Sequence, residues 1–101
     1  MSGFPEFNYR NNELFVESVS LRKIAETFGT PCYVYSRSAL TKAYQEFETA
    51  FAGRDHLICY AVKANSNIAI LNLFAQLGSG FDIVSGGELQ RVLQAGGDKS
   101  K

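Results

Sequence analysis

The sequence predicts an α/β fold built on a parallel sheet and forming the opening portion of something larger. Residues 57–62 are an apolar run flanked by Arg54-Asp55-His56 and Asn65-Ser66-Asn67, with Lys63 directly after it. The run is too short for a helix and reads as a strand buried on both faces, as in a parallel sheet covered by helices. A helical pattern, a second short apolar run and another helical pattern follow, and that order with short loops means right-handed βαβ units. Two parallel strands cannot cover their own edges, hence the expectation of an incomplete sheet.

Residues 7–9 and 14–16 are short apolar-aromatic segments joined by Arg10-Asn11-Asn12-Glu13. Asparagines tolerate the positive φ that tight turns need, so a β-hairpin is expected. Ser20 caps a helix whose face is Leu21, Ile24, Ala25 and Phe28; Gly29 ends it and Pro31 prevents its continuation. Residues 32–35 read as a strand, and Ser36 caps a helix over 37–52 with the stripe Leu40, Ala43, Tyr44, Phe47, Ala50 and Phe51. After the lysine strand, residues 67–77 form a helix apolar over most of its surface. Residues 80–84 form the next strand, with Asp82 its lone charge. The last helix spans 86–95, with Leu89, Val92 and Leu93 inward and Gly96-Gly97 beyond.

Ten basic residues balance ten acidic ones with no basic patch, which disfavours nucleic acid and anionic membranes as partners. The start, Met1-Ser2-Gly3-Phe4-Pro5-Glu6, lacks the pattern of a signal peptide, and no stretch approaches the ~20 apolar residues of a membrane span. Cys32 and Cys59 each fall in an expected strand, with neither Cys-x-x-Cys spacing nor a histidine cluster. Two buried thiols, no metal site and a cytoplasmic location are the reading.

Lys63 is the candidate for chemistry. A lysine at the carboxyl end of a parallel strand can be desolvated into a nucleophilic amine and form a Schiff base. A surface lysine just past a strand end occupies the same position, and spacing alone does not separate the two. Asp82, flanked by Phe81 and Ile83, needs a cation or a donor, and Lys63 is the nearest candidate. Period-two alternation would set Cys59, Ala61 and Lys63 on one face and Ile58, Tyr60 and Val62 on the other, with Asp82 and Val84 sharing the Lys63 face of the next strand. Ser85-Gly86-Gly87-Glu88 matches a capping box; alternatively, the glycines open space near the lysine and Glu88 faces a pocket. His56 reads as a solvated turn residue, and Tyr33, Tyr35 and Cys59 as packing.

Three stretches, Gly29-Thr30-Pro31-Cys32-Tyr33-Val34-Tyr35-Ser36, Tyr60-Ala61-Val62-Lys63-Ala64-Asn65-Ser66-Asn67 and Gly80-Phe81-Asp82-Ile83-Val84-Ser85-Gly86-Gly87-Glu88-Leu89, closely resemble the diaminopimelate decarboxylase family in order and spacing. The resemblance implies pyridoxal 5'-phosphate as cofactor, a (β/α)₈ TIM barrel followed by a β domain, a homodimer, and a place in lysine biosynthesis. It implies that Lys63 carries the cofactor as a Schiff base and that Asp82 and Glu88 lie beside it as cofactor-binding residues. Residues 1–101 would then be an N-terminal fragment of the barrel domain, with the leading hairpin and helix in 1–30 and the first βα units in 31–101. The reaction implied is decarboxylation of meso-2,6-diaminopimelate to L-lysine and CO₂, with the fragment inactive alone. A barrel needs ~250 residues. Relatives acting on ornithine, arginine or carboxynorspermidine share the lysine motif and form one alternative. A non-catalytic truncated fragment, associating through exposed strands, is another.

Overall fold

Asn11 and Asn12 both take left-handed backbone, with φ of 52° and 64°, as a two-residue type I′ connection requires. They join β1 (Phe7–Arg10) to β2 (Glu13–Val16) in the expected hairpin, with Phe7 opposite Val16 and Arg10 opposite Glu13. This computed structural model describes residues 5–101. The signal-peptide reading of Met1-Ser2-Gly3-Phe4 lies outside the described residues. A short β3 (Val19–Ser20), absent from the sequence reading, adds to β2 after a turn in which Glu17 has φ 54°. Contacts group the chain into two units, divided between Lys42 and Ala43.

In the first unit, α1 (Leu21–Phe28) starts at Ser20, whose Oγ accepts from the Lys23 N–H, and stops at Gly29 with φ 82°. It packs on β2 and β3. Leu21, Ile24 and Ala25 are half-buried, but Phe28, expected on the packed face, is 77% exposed. Residues 32–35 are not a strand, and Tyr33 and Tyr35 are exposed rather than packed. A β-rich stretch becomes a strand only where a neighbouring edge takes up its N–H and C=O groups, and no described strand pairs with this one. Ser36 then opens α2 (Arg37–Ala50), its Oγ accepting the Ala39 N–H at 3.0 Å. The same hydroxyl donates to Glu17 Oε2 at 2.7 Å, which also accepts the Ser38 N–H at 3.1 Å. Glu17 thus places its charge at the positive end of α2.

The second unit carries the βαβ arrangement. β4 (Cys59–Ala61) and β5 (Gly80–Asp82) are parallel, with Cys59 beside Gly80, Tyr60 beside Phe81 and Ala61 beside Asp82. The crossover is α3 (Ile68–Gln76), capped by Asn67, and α4 (Gly86–Gln94) follows β5. Val62, Leu71, Val92 and Ala95 form the buried core, with Tyr60, Phe81 and Ile83 packed against it. Leu71 and Val62 are wholly buried, and burial of such a side chain stabilises by roughly 1.5–3 kcal/mol. Asn72, a polar residue within the apolar α3, donates from Nδ2 to the Ala95 carbonyl at 2.9 Å and ties α3 to the end of α4. Gly97 is required beyond that end, since a Cβ there would meet Val92 Cγ1 at 2.4 Å.

The lysine strand spans three residues rather than 57–62; Leu57 is 50% exposed and Cys59 is exposed. Helices cover only one face of the pair, and the alternate residues Cys59 and Asp82 stay bare on the other. Cys32 is likewise exposed, so neither cysteine is a buried thiol; both are free. Of the inward positions expected on α4, Val92 is buried while Leu89 and Leu93 are exposed, and Phe47 and Phe51 of the α2 stripe are exposed too.

Candidate functional site

The backbone at the carboxyl end of β4 decides where the lysine goes. After Ala61 the chain leaves the strand for a single 3₁₀ turn, Val62–Ala64, closed by the Asn65 N–H on the Val62 carbonyl at 3.1 Å. Val62 is the buried anchor of this turn, and Lys63, next to it, is exposed. Alternation therefore ends at Ala61, and the face of Lys63 is set by the turn rather than by strand period, contrary to the sequence count.

Three further bonds steady the segment after the lysine. The Tyr60 hydroxyl donates to the Asn65 carbonyl at 2.9 Å, while its ring stacks on Phe74 at 4.4 Å between centroids. Asn65 Oδ1 accepts the Asn67 N–H at 2.9 Å, and Arg91 of α4 donates to the Ser66 carbonyl at 3.3 Å. The sequence places Tyr60 only on the strand face opposite Lys63; nothing in the local pattern marks its hydroxyl tether to the lysine turn.

Asp82 ends β5 and is exposed. Pairing sets it beside Ala61, one short turn from Lys63. The ion pairs Arg22–Glu13, Lys42–Glu6 and His56–Glu48 lie elsewhere, and Lys63 and Asp82 are not bonded to each other. Ser85 and Glu88 do form a helix cap. Ser85 Oγ accepts the Glu88 N–H at 3.1 Å, but Glu88 Oε1 takes the Val84 N–H at 2.8 Å rather than that of Ser85. Glu88 is half-buried and its Oε1 is committed to the loop between β5 and α4. The exposed face of the sheet is tight at its start, where a Cβ on Gly80 would meet Cys59 Sγ at 2.7 Å.

A hollow of about 210 Å³ borders β4, lined mostly by apolar groups including Tyr44, Phe47, Ile58, Cys59, Ala61 and Phe74. In the first unit Glu6, buried, binds Lys42 Nζ at 2.8 Å, and that ammonium holds its carboxyl below the usual range. No cluster of metal-ligating side chains occurs among the described residues, and none of their helices is long and apolar enough to cross a membrane.

Residues 37–101 match the family described as pyridoxal-dependent decarboxylase, pyridoxal binding domain. The chain belongs to this family. Among its relatives, the diaminopimelate decarboxylase of Pseudomonas fluorescens is 61% identical over 95 residues, covering 94% of this chain and 23% of that enzyme. That of Neisseria meningitidis serogroup B is 64% identical over 88 residues, covering 87% of this chain and 21% of its own. The crystal structure of diaminopimelate decarboxylase from M. jannaschii in complex with L-lysine matches with TM-score 0.86 and 36% identity, over 94% of this chain and 23% of that one. The chain thus spans about a quarter of the length of these relatives. Both strands of the second unit, the lysine turn and α4 fall within the pyridoxal-dependent decarboxylase match.

Proposed function

We propose that this chain is the lysine-bearing portion of a pyridoxal 5'-phosphate-dependent decarboxylase that converts meso-2,6-diaminopimelate to L-lysine and CO₂. The supporting observation is Lys63 itself, an exposed amine on an anchored turn at the carboxyl end of a parallel strand, inside the family match. The residues present fit the cofactor in chemical type. Lys63 offers an amine for its aldehyde, and Asp82, in no ion pair among the described residues, offers a carboxylate nearby. Pyridoxal phosphate, when bound, supplies an electron sink for the charge left by departing CO₂.

The chain's own part is to hold and orient. Lys63 would keep the cofactor by its Nζ, and the Tyr60 and Arg91 bonds to residues 65 and 66 limit the swing of the turn that carries it. Glu88, through the Val84 N–H, fixes the loop that follows Asp82 and so the direction of that carboxylate. As parts of the same proposal, the two βα units open a (β/α)₈ barrel, and the complete enzyme is a cytoplasmic homodimer of lysine biosynthesis. Relatives carrying the diaminopimelate name at 61% and 64% identity favour that substrate over ornithine or arginine.

Borohydride reduction in the presence of pyridoxal phosphate, followed by peptide mapping, tests the assignment. The pyridoxyl group is expected on Lys63 and lost in Lys63→Ala. Its appearance on Lys42 or Lys99 instead would overturn the role given to Lys63.

A further inference from the structure

The single histidine of the chain sits where two acceptors converge. His56 Nδ1 lies 2.8 Å from the Arg54 carbonyl oxygen and Nε2 lies 3.3 Å from Glu48 Oε1. A carbonyl and a carboxylate carry no hydrogen to give, and a neutral imidazole has only one N–H. Both contacts are hydrogen bonds only when the ring is the two-donor cation. The ring is also stacked on Phe51, at 5.6 Å between centroids and 29° between planes, and its side chain is 20% exposed. This is not the solvated turn residue that the sequence suggested.

We propose that His56 is a pH-responsive clamp that fastens the carboxyl end of α2 to the loop entering β4. Glu48 and Phe51 belong to α2 and the turn that ends it, whereas His56 lies three residues before Cys59. The titratable groups facing the ring from α2 are Glu48 and, through Glu48 Oε1, the Tyr44 hydroxyl at 3.5 Å. From its own loop come Asp55, whose charge also favours the cation, and the backbone of Arg54. The Arg54 carbonyl raises the ring's pKa most; burial, next in size, lowers it, and Glu48 and then Asp55 raise it again, so that it ends above its ordinary value. A raised folded-state pKa stabilises the fold below the unfolded value of about 6.5, and that stabilisation is lost as pH rises through the folded value. The clamp is therefore closed in mild acid and opens on the alkaline side. Deprotonation removes one of its two hydrogen bonds and leaves the ring stack.

The test is an NMR titration of the 101-residue chain, where one histidine gives one unambiguous ring signal. The midpoint is expected above about 6.5 and is expected to move down in Glu48→Gln, which keeps the side-chain shape and removes the charge. In parallel, the melting temperature of the wild type should fall as pH rises through the midpoint, and His56→Gln should lose that slope. A midpoint at or below the ordinary value overturns the clamp, as does a midpoint unmoved by Glu48→Gln or a melting slope that persists in His56→Gln. None of these readouts depends on the cofactor assignment of Lys63.

Discussion

Tyr60→Phe keeps the ring on Phe74 and removes only the hydroxyl that holds the Asn65 carbonyl. The expected cost is about 0.5–1.5 kcal/mol in chemical unfolding, with faster amide hydrogen exchange confined to residues 62–67. Unchanged exchange there would mean that the tether does not steady the lysine turn. Gly97→Ala is the sharper single change. Its methyl would enter the space of Val92 Cγ1 and approach the Val92 carbonyl and Phe81, and overpacking of this kind costs roughly 1–3 kcal/mol. Thermal melting should show the loss, whereas Gly86→Ala, with nothing within 4 Å of its added carbon, should melt close to the wild type.

Among the elements, the helix starts were the most legible part of the sequence, because a cap is a local arrangement of one side chain and the next turn. Ser20, Ser36 and Ser85, read as caps, all open helices in the structure, whereas Asn67, read as the first helical residue, is itself a cap. The Asn11-Asn12 turn was legible for the same reason, since its demand for positive φ is met within two residues. Strands were read less well. Residues 32–35 have strand composition without a described partner, and 57–62 shortened to three paired residues, since pairing is decided by a distant edge. Glu17 at the head of α2 was invisible for that reason too, being 19 residues from the serine it binds. The Ser36 hydroxyl, then the Ser38 N–H, hold its carboxyl below the usual range. A depressed pKa means that the contribution is present above about 4.5 and is lost as pH falls through the folded value. Glu17→Gln should therefore flatten the loss of melting temperature between about pH 5 and 3. An acid limb identical to the wild type would show that this cap does not contribute. Ser36→Ala should cost about 1 kcal/mol at neutral pH.

At the scale of the whole chain, the three family-like stretches pointed to the decarboxylase family that residues 37–101 match. Composition and periodicity led only as far as a parallel α/β unit with a lysine at a strand end. The Lys63 position illustrates the difference: its place after β4 is readable from a run of apolar residues, but its 3₁₀ turn depends on Val62 meeting Leu71, Val92 and Ala95 from two later helices. The same packing bears on what the 101-residue chain does in isolation. α3 and α4 cover one face of β4 and β5, while Cys59, Lys63 and Asp82 are open to water. An adduct on an exposed amine hydrolyses readily, and a reacting group that is not shielded from solvent gains little from nearby charges. The isolated chain is accordingly expected to take up pyridoxal phosphate weakly, to lose any yellow colour on dialysis, and to release no CO₂ from diaminopimelate. Measured turnover by the purified chain, above that of its Lys63→Ala variant, would show that these few elements suffice for the chemistry.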